Sequence, residues 1–492
     1  MTKKNKSVLL YSIVALVGCL ALNIGIFKDY AFLDANEFIW TADNDPNFKN
    51  QFIQGGRFLY AIFNDFVYGS FSNTISDLKW VRLFSLIGCA IFSVQMFYFL
   101  LKLNVKVYES ALFSFLILTI PSFSVYYSWS ATYEIPIVLN LCFFAGLILL
   151  KKPKNTVAKV VNYLIALVLV VTSLCLYQSA ATIFIIPFVI SFIIKKNFTI
   201  KRVIQLVLFL GVSLSVYFIV FKVSLYLYQI KPLGRTEINL LKFPVRIVIF
   251  YLKEMRMLLY GSGFLVAPIL FLIIGSFSFF GFFYNLYKKS IKTFKGLYFV
   301  LFLILVLPLS YLPNLLSVDN YVCSRTIAPA AILVLFYQFI FLRQLSIKSK
   351  TFKKITLTIV LLLIIFSSVN LNHYITRVHN KEYTAIKAAF NKIPIDNTKN
   401  ILIIQPKNDF LQEYNFYERE YADEFGHISS SRIWVPKPLF NQIFKERLDA
   451  LNLLGNKNFD EKIEIYDADE YFVKNENVIV INLIDILKTE FE

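Results

Sequence analysis

The chain has 492 residues, 57% of them hydrophobic and only 17% charged, with a mean hydropathy of +0.61. Soluble domains carry about 25% charged residues, so this composition excludes an ordinary soluble protein and predicts a polytopic α-helical membrane protein. The net charge of +18 does not point to nucleic acid: residues 372–492 hold 20 of the 32 acids and 15 of the 50 Lys and Arg, a net −5, which leaves +23 on the hydrophobic part, where basic loops set orientation.

A bilayer span takes about 20 largely apolar residues. In chain order, 11 segments are expected to cross: 7–27, 81–101, 110–127, 133–150, 160–176, 179–194, 203–223, 263–287, 297–312, 326–342 and 355–371. Segment 160–194 also reads as one hairpin turning at Tyr177-Gln178. The first segment follows Lys3, Lys4 and Lys6 and has no small-residue cleavage site, so it is expected to be an uncleaved anchor. Every second connection is basic: 102–106, 151–159, 195–202, 288–295 and 343–354, with the N-terminus, hold 22 Lys and Arg, and Glu109 is the only acid beside them. Positive loops stay in the cytoplasm. The N-terminus is therefore expected inside, and 28–80, 128–132, 177–178, 224–262, 313–325 and the chain after 371 outside.

Within 224–262, INLLKFPVRIVIFYLKEMRMLLY mixes Lys242, Arg246, Lys253, Glu254 and Arg256 with apolar residues. It reads as an interfacial helix, with a twelfth span or a re-entrant segment as the alternative. The tail changes character. NILIIQP (400–406), KIEIYDA (462–468) and NVIVINLI (477–484) are strand-like, and 438–454 has helical spacing. The expected division is a membrane domain, 1–371, and a small extracytoplasmic α/β domain, 372–492. His373, His379 and His427 lack metal-ligand spacing and read as solvated surface. Cys19, Cys89, Cys142, Cys175 and Cys323 form no C-x-x-C pair and read as small buried residues. The sequence carries no metal signature and names no cofactor; a divalent cation stays open.

Acids at span ends are functional candidates by default. Asp34 and Glu37 in FLDANEFIW share a face if the first outer loop, 28–80, is helical there. Glu134 lies in WSATYEIPIVLN at the mouth of the fourth span, and Asp319 precedes Arg325 by six residues. A carboxylate beside a hydroxyl substrate can act as general base. Arg57, Arg235 and Arg325 lie on the same side and suit phosphate. Trp129 and Tyr177 at the rim suit stacking on a sugar, with Gln178 next to Tyr177. Asp29, Asp43 and Asp45 read as loop surface.

The order of F-x-D in the first outer loop, a later G-R, YYSWSATYEIPIVL and SLCLYQSAATIFI, with SRTIAPAAIL further on, resembles the bacteriophage serotype-converting type II glucosyltransferases. These belong to the GT-C class of integral-membrane glycosyltransferases. The resemblance covers about the first 200 residues, and LYQS is its most specific piece. It implies transfer of a hexose, typically glucose, from a polyprenyl-phosphate donor to a cell-surface glycan acceptor at the outer face of a bacterial cytoplasmic membrane. It also implies that Asp34 is the catalytic base and that Tyr177 and Gln178 match the LYQ element. Ala35 stands where members often have a second Asp, which leaves Glu37 as a conditional substitute; Glu134 stands where an Asp usually precedes the fourth span. A surface-polysaccharide polymerase or ligase, and a lipid-linked sugar flippase or transporter, are the alternative readings.

Overall fold

The computed structural model describes residues 3–153, 155–290, 293–394, 400–411, 424–425, 427–451, 463–467 and 478–491. Two of the basic loop residues, Lys154 and Lys292, lie outside the described residues, as do 452–454 of the expected tail helix.

Apolar runs bounded by Pro, Asn and Thr become helices in chain order. α1 (Lys3–Leu22) is the first, and a short helical loop follows, α2 (Asp34–Asn44), α3 (Phe48–Gln54) and α4 (Phe58–Phe66). The bundle continues with α5 (Leu78–Lys102), α6 (Val107–Ile117), α7 (Pro121–Ser128), α8 (Ile135–Leu150), α9 (Thr156–Leu176), α10 (Ile186–Lys195) and α11 (Ile200–Tyr228). Then come α12 (Phe243–Ile249), α13 (Met255–Tyr260), α14 (Pro268–Ser290), α15 (Phe294–Leu309), α16 (Leu312–Leu316), α17 (Ala328–Lys348) and α18 (Lys350–Leu371). The starts are marked locally. The Asn155 side chain accepts from the Ala158 N–H at 2.8 Å and Thr293 Oγ1 from the Gly296 N–H at 3.2 Å, while Pro occupies the first turn of α7, α8, α10, α12 and α17, where a missing N–H costs nothing.

Among the described residues, 9 helical stretches are long and apolar enough to cross a membrane, so the chain is a multi-pass helical membrane protein. Two of the 11 expected spans differ. The third is broken: α6 and α7 meet at 60°, because Pro121 starts a new helix after Ile120, whose ψ of 149° is extended. The ninth is the 16-residue α15, which carries Pro308 in its last turn. The expected turn at Tyr177-Gln178 is present, but the sixth span then begins as a 3₁₀ stretch, Gln178–Ile185, before α10. Residues 130–150 and 178–195 are mostly buried within the bundle, whereas α1, α11 and α18 expose rows of Val, Ile, Leu and Tyr, as lipid-facing helices must.

Segment 224–262 begins with the end of α11 and then holds one helical run, in which α12 passes through a π-turn, Phe250–Glu254, into α13. Its apolar side, with Leu241, Val245, Val248 and Leu252, is exposed, while Arg246 and Glu254 are buried. Arg246 turns inward because its guanidinium donates to the carbonyls of Leu315 (2.8 Å), Ser317 and Val318 (2.6 Å). The charged residues therefore do not form a common solvated face.

α18 runs through a π-turn, Asn372–Thr376, into α19 (Arg377–Phe390), one stretch of 41 residues from Lys350 to Phe390. Beyond it β1 (Asn400–Gln405), α20 (Pro436–Ala450), β2 (Ile463–Asp467), β3 (Val478–Asn482) and α21 (Leu483–Phe491) follow. The sheet is parallel with order β2-β1-β3, and Ile401 of the central strand pairs with Ile463 and Ile479. α20 lies on the first loop: Gln442 Nε2 donates to the Asn73 carbonyl (2.8 Å), Glu446 Oε1 accepts from the Ile75 N–H (2.8 Å), and Lys445 pairs with Asp43 at 2.8 Å. One apolar core runs from the bundle through this layer. The histidine expectation is overturned in two cases. His379 and His427 are each 2% exposed: the Phe32 ring stacks on His379, and the Asn408 carbonyl lies 3.0 Å from His427 Nδ1.

Candidate functional site

The first loop is fixed before it presents anything. Arg82 is fully buried and donates to three carbonyls of the loop entry: Nε to Ile26 (2.8 Å), one terminal nitrogen to Tyr30 (2.8 Å) and the other to Lys28 (2.6 Å). Its guanidinium lies 3.9 Å from the Tyr30 ring centroid, and the Tyr30 hydroxyl donates to the Ser128 carbonyl at 2.9 Å. The chain then enters α2 through Leu33, whose φ of 45° and ψ of −119° are unfavourable for a β-carbon residue. Such strain persists only where the surroundings over-determine it, and it concentrates at functional sites. The next residue is Asp34.

The tail supplies the restraint on Leu33. Its N–H donates to Ser429 Oγ at 2.9 Å. Ser429 Oγ also lies 3.2 Å from His379 Nδ1, which is 3.1 Å from Glu382 Oε2. Glu382 accepts from the backbone N–H groups of Ser429 (3.0 Å) and Ser430 (2.6 Å). The His379 ring stacks on Phe32 at 4.3 Å, and Phe32 contacts Trp129 at 4.9 Å. Trp129 in turn lies under the Arg325 guanidinium at 4.3 Å. Glu424, fully buried, holds the arginine's loop: it accepts from the N–H groups of Ser324 (2.7 Å) and Arg325 (3.0 Å) and pairs with the Arg325 head at 3.6 Å.

A second arm carries Arg57. Gly56 has φ of +76°, and a β-carbon there would run into the Tyr217 hydroxyl and the Gln178 amide. Gln178 Nε2 donates to the Gly55 carbonyl (3.1 Å) and to Tyr217 Oη (2.8 Å), and the Tyr217 hydroxyl donates to the Gly56 carbonyl (3.0 Å). Gln178 thus braces the Gly-Gly turn. Arg57 leaves that turn over the rings of Phe52 (5.7 Å) and Tyr60 (5.2 Å), and the Tyr60 hydroxyl donates to the Ala131 carbonyl at 2.6 Å.

Glu134 lies between the arms. It is 1% exposed, and its Oε2 has no hydrogen-bond partner among the described residues. Trp129 Nε1 and the Tyr133 hydroxyl beside it are in the same condition. Buried polar atoms of this kind demand a polar partner. The cations that act on Glu134 are Arg57 and Arg325, and the charges that act on Tyr177 are Arg325, Glu134 and Arg57. Asp34 acts on Arg325 and, together with Glu134, on Tyr68.

Asp34, Arg57, Trp129, Glu134, Tyr177 and Arg325 therefore come together. Glu37 lies in the first turn of α2 with Asp34, half-buried, with Asp34 and Asp45 as the charges acting on it. Burial first and these two acids next push its carboxyl up to about 7. Arg235 lies in a 3₁₀ turn, Gly234–Thr236, and its side chain is outside the described residues. Asp319 is exposed. Among the described residues, no group of three or more His, Cys, Asp or Glu could hold a metal ion. Sequence reasoning missed Arg82, Glu382, Glu424 and Ser429, and read His379 as surface. The one available signal was the i,i+3 pair His379 and Glu382.

Fold and site together define a multi-pass membrane protein with a buried polar site at one end of its helical bundle. No protein-family model and no curated protein matches the chain.

Proposed function

We propose that the protein is a GT-C-type glycosyltransferase that moves a hexose, glucose in the first instance, from a polyprenyl-phosphate donor to a cell-surface glycan. The reaction takes place at the extracytoplasmic face of a bacterial cytoplasmic membrane, with the N-terminus inside and the tail outside. The observation that carries this reading is the convergence of two carboxylates, Asp34 and Glu134, with two ring-backed arginines, Arg57 and Arg325. Asp34 takes the proton of the acceptor hydroxyl as its oxygen attacks the anomeric carbon. The bond from that carbon to the phosphate oxygen breaks, and the electron pair leaves with the lipid phosphate. Arg57 and Arg325 meet the charge that builds there. Glu134, with the Trp129 indole N–H and the Tyr133 hydroxyl, supplies polar partners for the sugar hydroxyls, and Tyr177 closes one side. Arg235 and membrane lipids belong to the donor's approach.

The test is glycan analysis of cells with and without the gene, run beside Asp34→Asn. Loss of the added hexose in the variant, with protein still in the membrane, is expected. Full modification by Asp34→Asn sinks the assignment. The two arginines also favour a second reading, a polymerase or ligase acting on the same lipid-linked sugars. It predicts that Asp34→Asn is tolerated while Arg57→Ala or Arg325→Ala abolishes chain extension.

A further inference from the structure

At the basic end of the bundle a cavity of about 410 Å³ opens between α6, α14, α17 and α18. Its walls are mostly apolar, with Leu116, Ile274, Leu335, Val360 and Leu363 among them. Its rim is charged. Glu109 is 4% exposed and pairs with Arg343 at 2.9 Å. The Arg343 Nε is buried and has no hydrogen-bond partner among the described residues. Lys353 and the Ser346–Thr356 hydroxyl pair (2.9 Å) complete the edge. The connection from Arg343 to Lys354 carries Arg343, Lys348, Lys350, Lys353 and Lys354 against the single acid Glu109.

The dimensions select the occupant. From Lys353 at the rim to Leu363 in the wall is one uninterrupted run of helix, about 15 Å at 1.5 Å per residue. That is roughly half of a ~30 Å hydrocarbon core, the depth of a chain from one leaflet. We propose that this cavity binds one acyl chain of an anionic phospholipid from the leaflet at the basic end, with the lipid phosphate on Arg343 Nε and Lys353. A phosphate oxygen satisfies the unpartnered Arg343 Nε–H, and the chain fills apolar walls that would otherwise lose their packing contacts. The site is separate from the one holding Asp34, and it does not depend on how that site is read.

The experiment uses the purified full chain in detergent, incubated with phosphatidylglycerol or with phosphatidylcholine of the same chains, and native mass spectrometry to count retained lipid. One phosphatidylglycerol per chain is expected, retained in preference to phosphatidylcholine. Arg343→Gln weakens retention about tenfold, the loss of one charge-assisted hydrogen bond. Lys353→Gln, at an exposed position, weakens it in the same direction and keeps the test open where Arg343→Gln leaves Glu109 too poorly paired to fold. Ile274→Trp fills the cavity and removes the adduct, while Lys195→Gln at another basic connection leaves it unchanged. Equal retention of the two lipids, an adduct that survives Ile274→Trp, or preference for an isoprenyl phosphate over phosphatidylglycerol overturns the proposal.

Discussion

Removing one hydroxyl from the tail tests whether the tail holds the first loop. Ser429 Oγ accepts the Leu33 N–H at 2.9 Å, and Ser429 and Leu33 are 1% and 4% exposed. Ser429→Ala leaves that donor buried and unpaired, which costs about 1–3 kcal/mol. The turn at Leu33 stores strain of about the same size, so part of the loss returns if Leu33 relaxes out of its positive φ. The expected net destabilisation is about 1–2 kcal/mol, with Asp34 displaced as the turn relaxes. The adjacent serine is the control. Ser430 is equally buried, but its Oγ has no hydrogen-bond partner among the described residues, so Ser430→Ala breaks no side-chain hydrogen bond and is expected to be neutral or slightly stabilising. Unfolding in detergent, followed by tryptophan fluorescence, measures both. In a glycan assay Ser429→Ala is expected to lower turnover more than donor affinity, and Ser429→Thr, which restores a hydroxyl, to recover part of it. Equal stability of the two alanine variants would refute the argument that this hydrogen bond holds the strained turn.

Arg82→Lys keeps the charge but loses the planar fork that reaches three carbonyls. A loss of about 3 kcal/mol and faster protease cleavage near residues 28–31 are expected; wild-type protection would refute this. Gly56→Ala places a β-carbon at φ +76° against Tyr217 and should lose about 2 kcal/mol or more. Gly56→Ala with Tyr217→Phe should lose less than the two single changes summed, a coupling read from a double-mutant cycle. Glu37 titrates at about 7 when folded against 4.5 ordinarily, so the folded chain holds that proton more tightly than the unfolded chain. Its contribution to stability is full below pH 4.5 and is lost as pH rises through 7, blunted by solvent at this half-buried position. Glu37→Gln should flatten that slope in unfolding midpoints between pH 4.5 and 8; an unchanged slope would count against the burial argument.

The spans were legible because a bilayer imposes length and apolarity on each segment separately. The break at Pro121 and the shortness of α15 were written in the same runs, as LTIPSF and VLPLSYLP, but a hydropathy window averages across a proline and misses the change of direction. The candidate acids could be picked out because acids are scarce at one set of span ends, where Glu109 is the only one beside 22 Lys and Arg, and gather at the other. Their partners could not. Leu33 and Ser429 are 396 residues apart, and Ser324 and Glu424 are 100 apart; no local spacing encodes such pairs. His379 illustrates the failure. It lacks metal-ligand spacing and so reads as surface, yet Phe32 from the first loop covers its ring.

Glu424 and Ser429, five residues apart in the tail, hold different parts of the site. Glu424 fixes the backbone that carries Arg325, and Ser429 fixes the turn that carries Asp34. The loop carrying Arg325 is tied at a second point by Arg246, whose guanidinium takes the carbonyls of Leu315, Ser317 and Val318. The turn carrying Asp34 has its second tie in Arg82, upstream at Ile26, Lys28 and Tyr30. Each of the two loops is thus held once by a buried arginine, Arg82 of α5 or Arg246 of α12, and once by the tail. The two kinds of tie differ in consequence. The arginines bind carbonyls at the roots of the loops, so losing one loosens the whole segment. The tail binds N–H groups next to the charged residues themselves, so losing it leaves the loops in place but frees the angle between Asp34 and Arg325. A small displacement of a reacting group can cost a hundredfold in rate while binding survives. On the proposed glycosyltransferase reading, damage to the tail therefore appears first in turnover, and damage to Arg82 or Arg246 first in stability.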